Sequence, residues 1–302
     1  MKDRLRRVVA VAAAAVAALI ASTPNHGLAQ PDTGGVLARV AETGTLRVGT
    51  RAQARPFAFR NSEGKFAGFS VDLLQYIGRQ IGNTVGRDVT LDFHAVTTDT
   101  RLKALESGRI DLVCGLTTPT WSREERVDFT LPIFVDGTRV LTYREYGQAG
   151  LGGLQNRRVG VLEDSTTESI VALTLPSVDV VPYPSMAKAM TALEARKVDA
   201  IANIGILLET LRTRSSNSVS LMLVPKSGNL HREIMACAVP ENESPLRDAV
   251  NKALSQAYEG LDEVSGNYAD IYFRWFGVDG SVYYPLTGKR RNILLSSRIW
   301  LR

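Results

Sequence analysis

Short apolar runs alternate along the chain with segments whose apolar residues recur every three or four positions. The runs predict buried strands, and the recurring pattern predicts amphipathic helices. The predicted strands are 45–50, 89–95, 110–114, 138–143, 157–162, 178–182 and 198–202, and the predicted helices are 70–82, 98–107, 166–174, 186–196 and 244–260. Such alternation indicates an α/β fold with mostly parallel sheets.

Part of this pattern occurs twice. Residues 104–114 read ALESGRIDLVC, and residues 192–202 read ALEARKVDAIA with the same spacing. Earlier in each half, a short alternating run stops at a glycine, TLRVG at 45–49 and NRRVG at 156–160. Alternating runs that end at glycine are typical of strands that enter a turn. The repetition favours two lobes built on one plan.

No low-complexity linker separates the two halves of the chain. Two extended apolar segments, 138–143 and 233–239, are placed where the chain would cross between lobes. The predicted boundaries are 30–139 for the first part of lobe 1, 140–235 for lobe 2, 236–280 for the return to lobe 1 and 281–302 for a C-terminal tail.

The N-terminus has the pattern of a secretory signal peptide. Four basic residues in 1–7 precede an apolar run at 8–21, and a polar stretch ends in small residues near position 29. The alternative is a retained anchor helix, but a bilayer span needs about 18 or more apolar residues. We therefore predict cleavage of 1–29 and a periplasmic protein.

Charge changes once this leader is set aside. The full chain carries a net charge of +5, whereas residues 30–302 hold 32 basic and 30 acidic side chains, and five of the basic ones fall in 289–302. Nucleic-acid binding requires basic residues clustered on one face. The charge distribution therefore argues against a nucleic-acid partner.

The chain has two cysteines, Cys114 and Cys237. An exported protein matures where disulfides persist, and an even number of cysteines suits one bridge. Two buried free thiols are the alternative, because free cysteine is commonly buried.

Candidate binding residues follow the predicted strands, where ligands of open parallel sheets lie. Arg51, Arg101 and Arg123 each follow a different strand of the first lobe. Arginine binds carboxylates through two parallel hydrogen bonds, which suits an anionic ligand. The alternative for each arginine is a solvated surface position. The hydroxyl-bearing neighbours in this lobe are Thr98, Thr117 and Thr118.

Two helix starts bear on the same site. Ser122 and Glu125 have capping-box spacing, which would place Arg123 in a first turn where the helix dipole disfavours a cation unless an anion is near. In the second lobe, Ser165, Thr166 and Thr167 follow a strand and open a helix. They can form an anion site or a plain helix cap.

Motifs of enzymes are poorly represented. The histidines His26, His94 and His231 lack metal-ligand spacing, and no nucleophile elbow, P-loop or dinucleotide-binding turn occurs. Glu124 and Glu125 are sequence neighbours that diverge on a helix. We therefore predict neither an enzyme, a metal site nor a cofactor.

The segment VCGLTTPTWSR at 113–123, with FT at 129–130 and IFVDGTR at 133–139, resembles the family-3 extracellular solute-binding proteins of ABC transporters. The resemblance extends to about residue 277 and is strongest to glutamate- and aspartate-binding members. It implies a type II periplasmic-binding fold and a Cys114–Cys237 bridge. It also implies that Arg123 holds an α-carboxylate, that Arg51 and Arg101 reach a side-chain carboxylate, and that Thr98, Thr118 and 165–167 add hydroxyls.

Two positions depart from that family. Its members place an aspartate for the ligand's ammonium after the repeat strand of lobe 2, where this chain has Asn203, Ile204 and Gly205. A family serine is Leu116 here. A buried ammonium without a counter-charge is unfavourable. These departures therefore weaken the expectation of an amino acid, whereas a dicarboxylate or another acid that lacks the amine fits the three arginines without this defect.

The expected function is hinge closure on a small anionic solute, followed by delivery to the membrane permease of an ABC transporter, by a monomer. The alternative is a sensory or scaffolding protein that reports a metabolite without transport. For the basic tail 281–302 we expect disorder, with attachment to an anionic membrane as the alternative.

Overall fold

The computed structural model describes residues 35–297, so the predicted signal peptide 1–29 and residues 298–302 lie outside the described residues. The α-helices are α1 Val36–Thr43, α2 Phe69–Val85, α3 Thr100–Glu106, α4 Trp121–Glu124, α5 Arg144–Gly147, α6 Thr166–Thr174, α7 Met186–Glu194, α8 Gly205–Arg214, α9 Ser244–Ala257, α10 Gly266–Phe276 and α11 Gly288–Ser296. Within this range, no helix combines the length and apolar character needed to cross a membrane.

The strands form one large and one small sheet. They are β1 Thr45–Thr50, β2 Gln53–Ala54, β3 Ala58–Arg60, β4 Phe66–Ala67, β5 Thr90–Ala95, β6 Leu112–Val113, β7 Val127–Tyr143, β8 Arg158–Leu162, β9 Asp179–Tyr183, β10 Ala200–Ile204, β11 Leu221–Val224 and β12 His231–Pro240. The large sheet has the order β5-β1-β6-β12-β7-β10-β8-β9, with β11 also paired to β7, and the small sheet has the order β2-β3-β4. The predicted α/β class is confirmed.

The large sheet is parallel towards its edges and antiparallel at its centre. β1 pairs parallel with β5 and β6, and β8 pairs parallel with β9 and β10. β7 pairs antiparallel with β10, β11 and β12. The prediction of mostly parallel sheets is therefore wrong at the centre. The strands that contain the two predicted crossing segments, β7 and β12, pair antiparallel with each other, and β7 also pairs antiparallel with β10 and β11. β7, at 17 residues, is also longer than the predicted 138–143.

The repeated sequence pattern produces the same contact twice. In the first copy, an Asp111 carboxylate oxygen accepts a hydrogen bond from the Arg47 backbone N–H at 2.8 Å and pairs with its guanidinium. In the second copy, Asp199 accepts from the Arg158 backbone N–H at 2.9 Å and pairs with its guanidinium at 3.3 Å. In each repeat, an aspartate directly before a strand thus binds an arginine near the start of the neighbouring parallel strand, which is β1 in the first copy and β8 in the second.

Buried apolar side chains fall into separate groups along the chain. One large group combines residues before position 136 with residues from 204 onward, and a smaller one lies among 96–127 and residue 238. Two further groups consist of residues 140–224. Side chains within one group exclude water together. The segment 140–224 therefore contributes core groups that contain no residue from either end of the chain.

The two cysteines form a disulfide. Cys114 lies directly after β6, and Cys237 lies in β12 and is bonded to it across a sequence separation of 123 residues. Both are buried. The single-bridge interpretation is confirmed, and the alternative of two free thiols is wrong.

The expected disorder of the tail is wrong for residues 281–297. The phenol of Tyr284 donates a hydrogen bond to Asp136 in β7, and α11 places Leu294 in the large core group. Asp136 also accepts from the Ile206 backbone N–H at 2.9 Å. Burial raises the pKa of Asp136, which the hydrogen bonds from Tyr284 and Ile206 oppose. The tail thus satisfies a buried carboxyl group on the longest strand.

Substituting Tyr284→Phe should destabilise the protein by about 1–3 kcal/mol, because a buried oxygen of Asp136 loses its donor. Urea unfolding of the purified protein measures the change. Tyr283→Phe is the matched control, since that neighbouring side chain is 62% exposed. Equal stability of both variants would contradict the role assigned to Tyr284.

Candidate functional site

A cavity of about 780 Å³ lies at the carboxyl ends of the strands. The chain reaches it directly after β1, β5, β8 and β9, and again at the end of β10. This is the position where open parallel sheets bind ligands. The predicted binding residues that line it are Arg51, Thr98, Arg101, Thr118, Arg123, Ser165, Thr166 and Thr167.

Thr117 does not line the cavity. Its side chain is only 1% exposed, and its carbonyl accepts a hydrogen bond from the Ala236 N–H at 3.0 Å. Its neighbours Leu116 and Thr118 both line the cavity. The prediction of Thr117 as a binding residue is therefore not supported by the geometry.

Three arginines bring positive charge into the cavity. Arg101 in α3 is 4% exposed, and its Nε and Nη1 have no hydrogen-bond partner. Arg51 donates from Nη1 to the Thr98 hydroxyl at 3.0 Å, and Arg123 donates from Nη1 to the Thr118 carbonyl at 2.8 Å. Among residues 35–297, none of the three arginines forms a salt bridge.

These charges are unfavourable without a ligand. Burial, followed by the positive charges of Arg123 and Arg51, lowers the pKa of Arg101 to about 9. Burial also lowers the pKa of Arg51 and of Arg123, although the negative charge of Glu233 raises the latter. An unpaired buried cation is costly. The cavity is therefore suited to an anion that supplies both charge and hydrogen-bond acceptors.

The predicted capping box before Arg123 does not form. α4 begins at Trp121 with Thr120 as its N-cap residue, and Glu125 is the C-cap residue rather than a residue of the first turn. The helix starts before Ser122, so Ser122 and Glu125 lack the required N-cap and N3 positions. Arg123 still lines the cavity, and its placement comes from the Thr118 carbonyl.

The turn before α6 contains both a cap and cavity-lining hydroxyls. Ser165 is the N-cap residue, and its hydroxyl accepts from the Glu168 N–H at 3.3 Å and donates to the Leu162 carbonyl at 2.5 Å. Thr166 instead donates its hydroxyl to Glu233 at 2.7 Å. The helix-cap interpretation is therefore confirmed for Ser165.

Glu233 is a cavity residue that the sequence did not indicate. It lies in β12 with 2% exposure, and its carboxylate accepts from Thr118, Thr138 and Thr166. It lines both the main cavity and an adjacent one of about 570 Å³. The apolar residues that follow Glu233 predicted only a crossing strand, and no signal in the sequence distinguished this carboxylate.

Additional arginines line the outer part of the cavity, and these too were not predicted. They are Arg55, Arg60 and Arg214. The Arg55 guanidinium lies over the Phe59 ring, 3.3 Å from its centroid. Burial and the charge of Arg214 lower the pKa of Arg55. The excess of positive charge thus extends beyond the three arginines at the strand ends.

The end of β10 provides no carboxylate, in agreement with its sequence. Asn203 and Ile204 line the cavity, and the Asn203 side-chain oxygen accepts from the Ile204 N–H at 2.8 Å. Leu116 lines the cavity as an apolar residue. Within the described part of the chain, no group of three or more acidic, histidine or cysteine side chains could hold a metal ion.

Comparison with known proteins identifies the class. The sequence profile of the bacterial extracellular solute-binding proteins, family 3, matches residues 46–278. The chain therefore belongs to this family, which consists of binding proteins rather than enzymes. The family assignment and the prediction of a non-enzymatic protein are both confirmed.

Individual relatives share about a quarter to a third of their residues with this chain. The L-glutamate/L-aspartate-binding protein of Pseudomonas aeruginosa is 25% identical over 86% of this chain and 85% of its own length. The L-cystine-binding protein TcyJ of Escherichia coli K12 is 25% identical over 81% and 87%. The solved structure of an ancestral arginine-binding protein bound to glutamine is 31% identical, covers 78% of this chain and 98% of its own, and has a TM-score of 0.67.

Proposed function

We propose that this protein is the periplasmic solute-binding component of an ABC importer and that its ligand is a small anion, either an acidic amino acid or a dicarboxylate. The observation that carries the proposal is the buried guanidinium of Arg101, whose Nε and Nη1 have no partner. Arg51 and Arg123 add two further cations to the same cavity. Carboxylates match the planar donor set of arginine.

The proposed mechanism is closure of two lobes over the ligand. The first comprises residues before about 140 and after about 235, and the second comprises 140–235, which agrees with the separate core groups of 140–224. Arg51, Arg101 and Arg123 would hold the anion from the first lobe, and the 165–167 turn would cover it from the second. Excluding water strengthens these ion pairs.

The named ligands of the relatives do not by themselves choose the ligand here. They include glutamate or aspartate, cystine, and arginine or glutamine. The arginines of this cavity support an acidic ligand among these possibilities. Closure around that ligand would present the loaded protein to a membrane permease.

Thermal unfolding with and without candidate ligands tests the proposal. L-glutamate, L-aspartate, glutarate and succinate are compared with L-leucine and L-arginine. A true ligand at about 100 times its dissociation constant adds about 2.7 kcal/mol of stability. We expect this stabilisation from one or more of the acids and from neither control compound.

Arg123→Ala should weaken binding of the stabilising acid by roughly 30-fold or more, because a buried charge pair is lost. Arg109→Ala is the matched control, since Arg109 is exposed and does not line the cavity. Unchanged binding in the Arg123 variant, or no stabilisation by any acid, would refute the proposed function.

A further inference from the structure

Glu233 places a buried negative charge in the cavity that holds the buried guanidinium of Arg101. The other acidic residues that line this cavity, Asp99, Glu163 and Asp164, are exposed to solvent. Its carboxylate is buried and lines the cavity together with Arg101 and Arg123. A buried carboxylate repels an anionic ligand, so the affinity for a simple dicarboxylate is reduced by its presence. A ligand that also carries a positive charge turns this repulsion into attraction.

The hydrogen bonds of Glu233 fix the position of its carboxylate. Oε2 accepts from the Thr118 hydroxyl at 2.9 Å and from the Thr166 hydroxyl at 2.7 Å, and Oε1 accepts from the Thr138 hydroxyl at 2.6 Å. The donors come from the loop before α4, from β7 and from α6. Three segments distant in sequence therefore hold one carboxylate.

These bonds leave the charge of Glu233 without a cation in contact. All three donors are neutral hydroxyls, and within residues 35–297 Glu233 forms no salt bridge. A carboxylate offers about four lone-pair sites. One acceptor site beyond the three hydroxyl bonds thus remains for a charged donor.

Arg123 is connected to Glu233 through Thr118. Arg123 donates to the Thr118 carbonyl at 2.8 Å, and the hydroxyl of the same threonine donates to Glu233. The site therefore presents a cation and an anion side by side. An amino acid carries its carboxylate and its ammonium on one carbon, so its charges complement this pair.

On the basis of the proposed function, we propose that Glu233 binds the ammonium group of the ligand and that the ligand is therefore an acidic amino acid rather than an amine-free dicarboxylate. Glu233 then supplies from β12 the carboxylate that Asn203 and Ile204 do not supply from β10. Its threonine donors hold it in place as positioning residues.

Calorimetric titration of matched ligand pairs tests this inference. The pairs are L-glutamate with glutarate and L-aspartate with succinate, which differ only in the ammonium. Of the two amino acids, the one that binds more tightly should bind to the wild-type protein roughly 100-fold more tightly than the dicarboxylate matched to it. The reason is that its ammonium forms a buried charge pair with Glu233. Glu233→Gln should lose most of this preference, through weaker amino-acid binding and equal or tighter dicarboxylate binding.

Two further variants separate charge from structure. Glu241→Gln removes the same charge from an exposed position near the end of β12 and should leave the preference unchanged. Thr138→Val removes one of the three hydrogen bonds to Glu233 but keeps its charge, and should reduce the preference without abolishing it, because Thr118 and Thr166 still hold the carboxylate. Unfolding curves establish that each variant is folded.

The outcomes distinguish this inference from the proposed function. If wild-type protein binds a dicarboxylate as tightly as its amino acid, or if Glu233→Gln weakens both ligands equally, the assignment of Glu233 is overturned while the anion site stands. If wild-type protein binds neither member of either pair, the proposed function itself fails.

Discussion

Replacing Arg101 by methionine is expected to stabilise the ligand-free protein and to abolish its stabilisation by the acidic ligand. The guanidinium is buried beside two other arginines and has two nitrogen atoms without partners. Methionine keeps much of the aliphatic volume and removes the charge. Replacing a buried ion pair by apolar groups of similar volume is often neutral or stabilising by about 1–4 kcal/mol, and among residues 35–297 the Arg101 guanidinium has no ion pair to lose.

Urea unfolding without ligand and thermal unfolding with L-glutamate measure the two effects of Arg101→Met. The exposed Arg109 provides the matched control, and Arg109→Met should change neither quantity. A ligand-free Arg101→Met protein that is less stable than wild type would show that the guanidinium is satisfied in the empty cavity. Retained stabilisation by the acid would remove Arg101 from the binding site.

Replacing both Cys114 and Cys237 by alanine is expected to lower stability by about 3–5 kcal/mol. The bridge closes a loop of 123 residues, and closing a long loop removes much conformational entropy from the unfolded chain. Alanine is used instead of serine because both cysteine positions are fully buried, where a serine hydroxyl would be unfavourable. Urea unfolding compares the variant with wild-type protein before and after reduction.

Reduction of the wild-type protein supplies the control, because it breaks the bond without removing either sulfur atom. Both treatments should lower stability to a similar extent, and reducing agent should have no further effect on the double variant. Ligand binding should persist wherever the variant is folded, since neither cysteine lines the cavity. A loss below 1 kcal/mol would contradict the loop argument.

The spacing of apolar residues predicted the positions of those strands and helices whose formation depends on local sequence. The repeat was informative because Arg47 with Asp111, and Arg158 with Asp199, form equivalent contacts at equivalent positions. The pairing of strands that are distant in sequence could not be predicted in the same way. The antiparallel pairing of β7 with β12 joins residues about 100 positions apart, and hydrophobic pattern alone does not specify a partner.

The same distinction explains which site residues were found. Arg51, Arg101 and Arg123 each follow a predicted strand. Because ligands of open parallel sheets lie at the carboxyl ends of the strands, their positions in the sequence were enough to predict a common site. Glu233 owes its role to threonines from three separate segments, none of them near it in sequence. Thr117 and Thr118 are adjacent and chemically identical, so only the fold distinguishes the threonine that lines the cavity from the one that does not.

The family match ends at residue 278, yet the fold does not. Tyr284 and Leu294 lie beyond that boundary, where one satisfies Asp136 and the other enters the large core group. Trimming this protein to the limits shared with its relatives would therefore uncover apolar surface and leave a buried carboxyl group without its donor. The segment that sequence comparison treats as an appendage belongs to the folding unit.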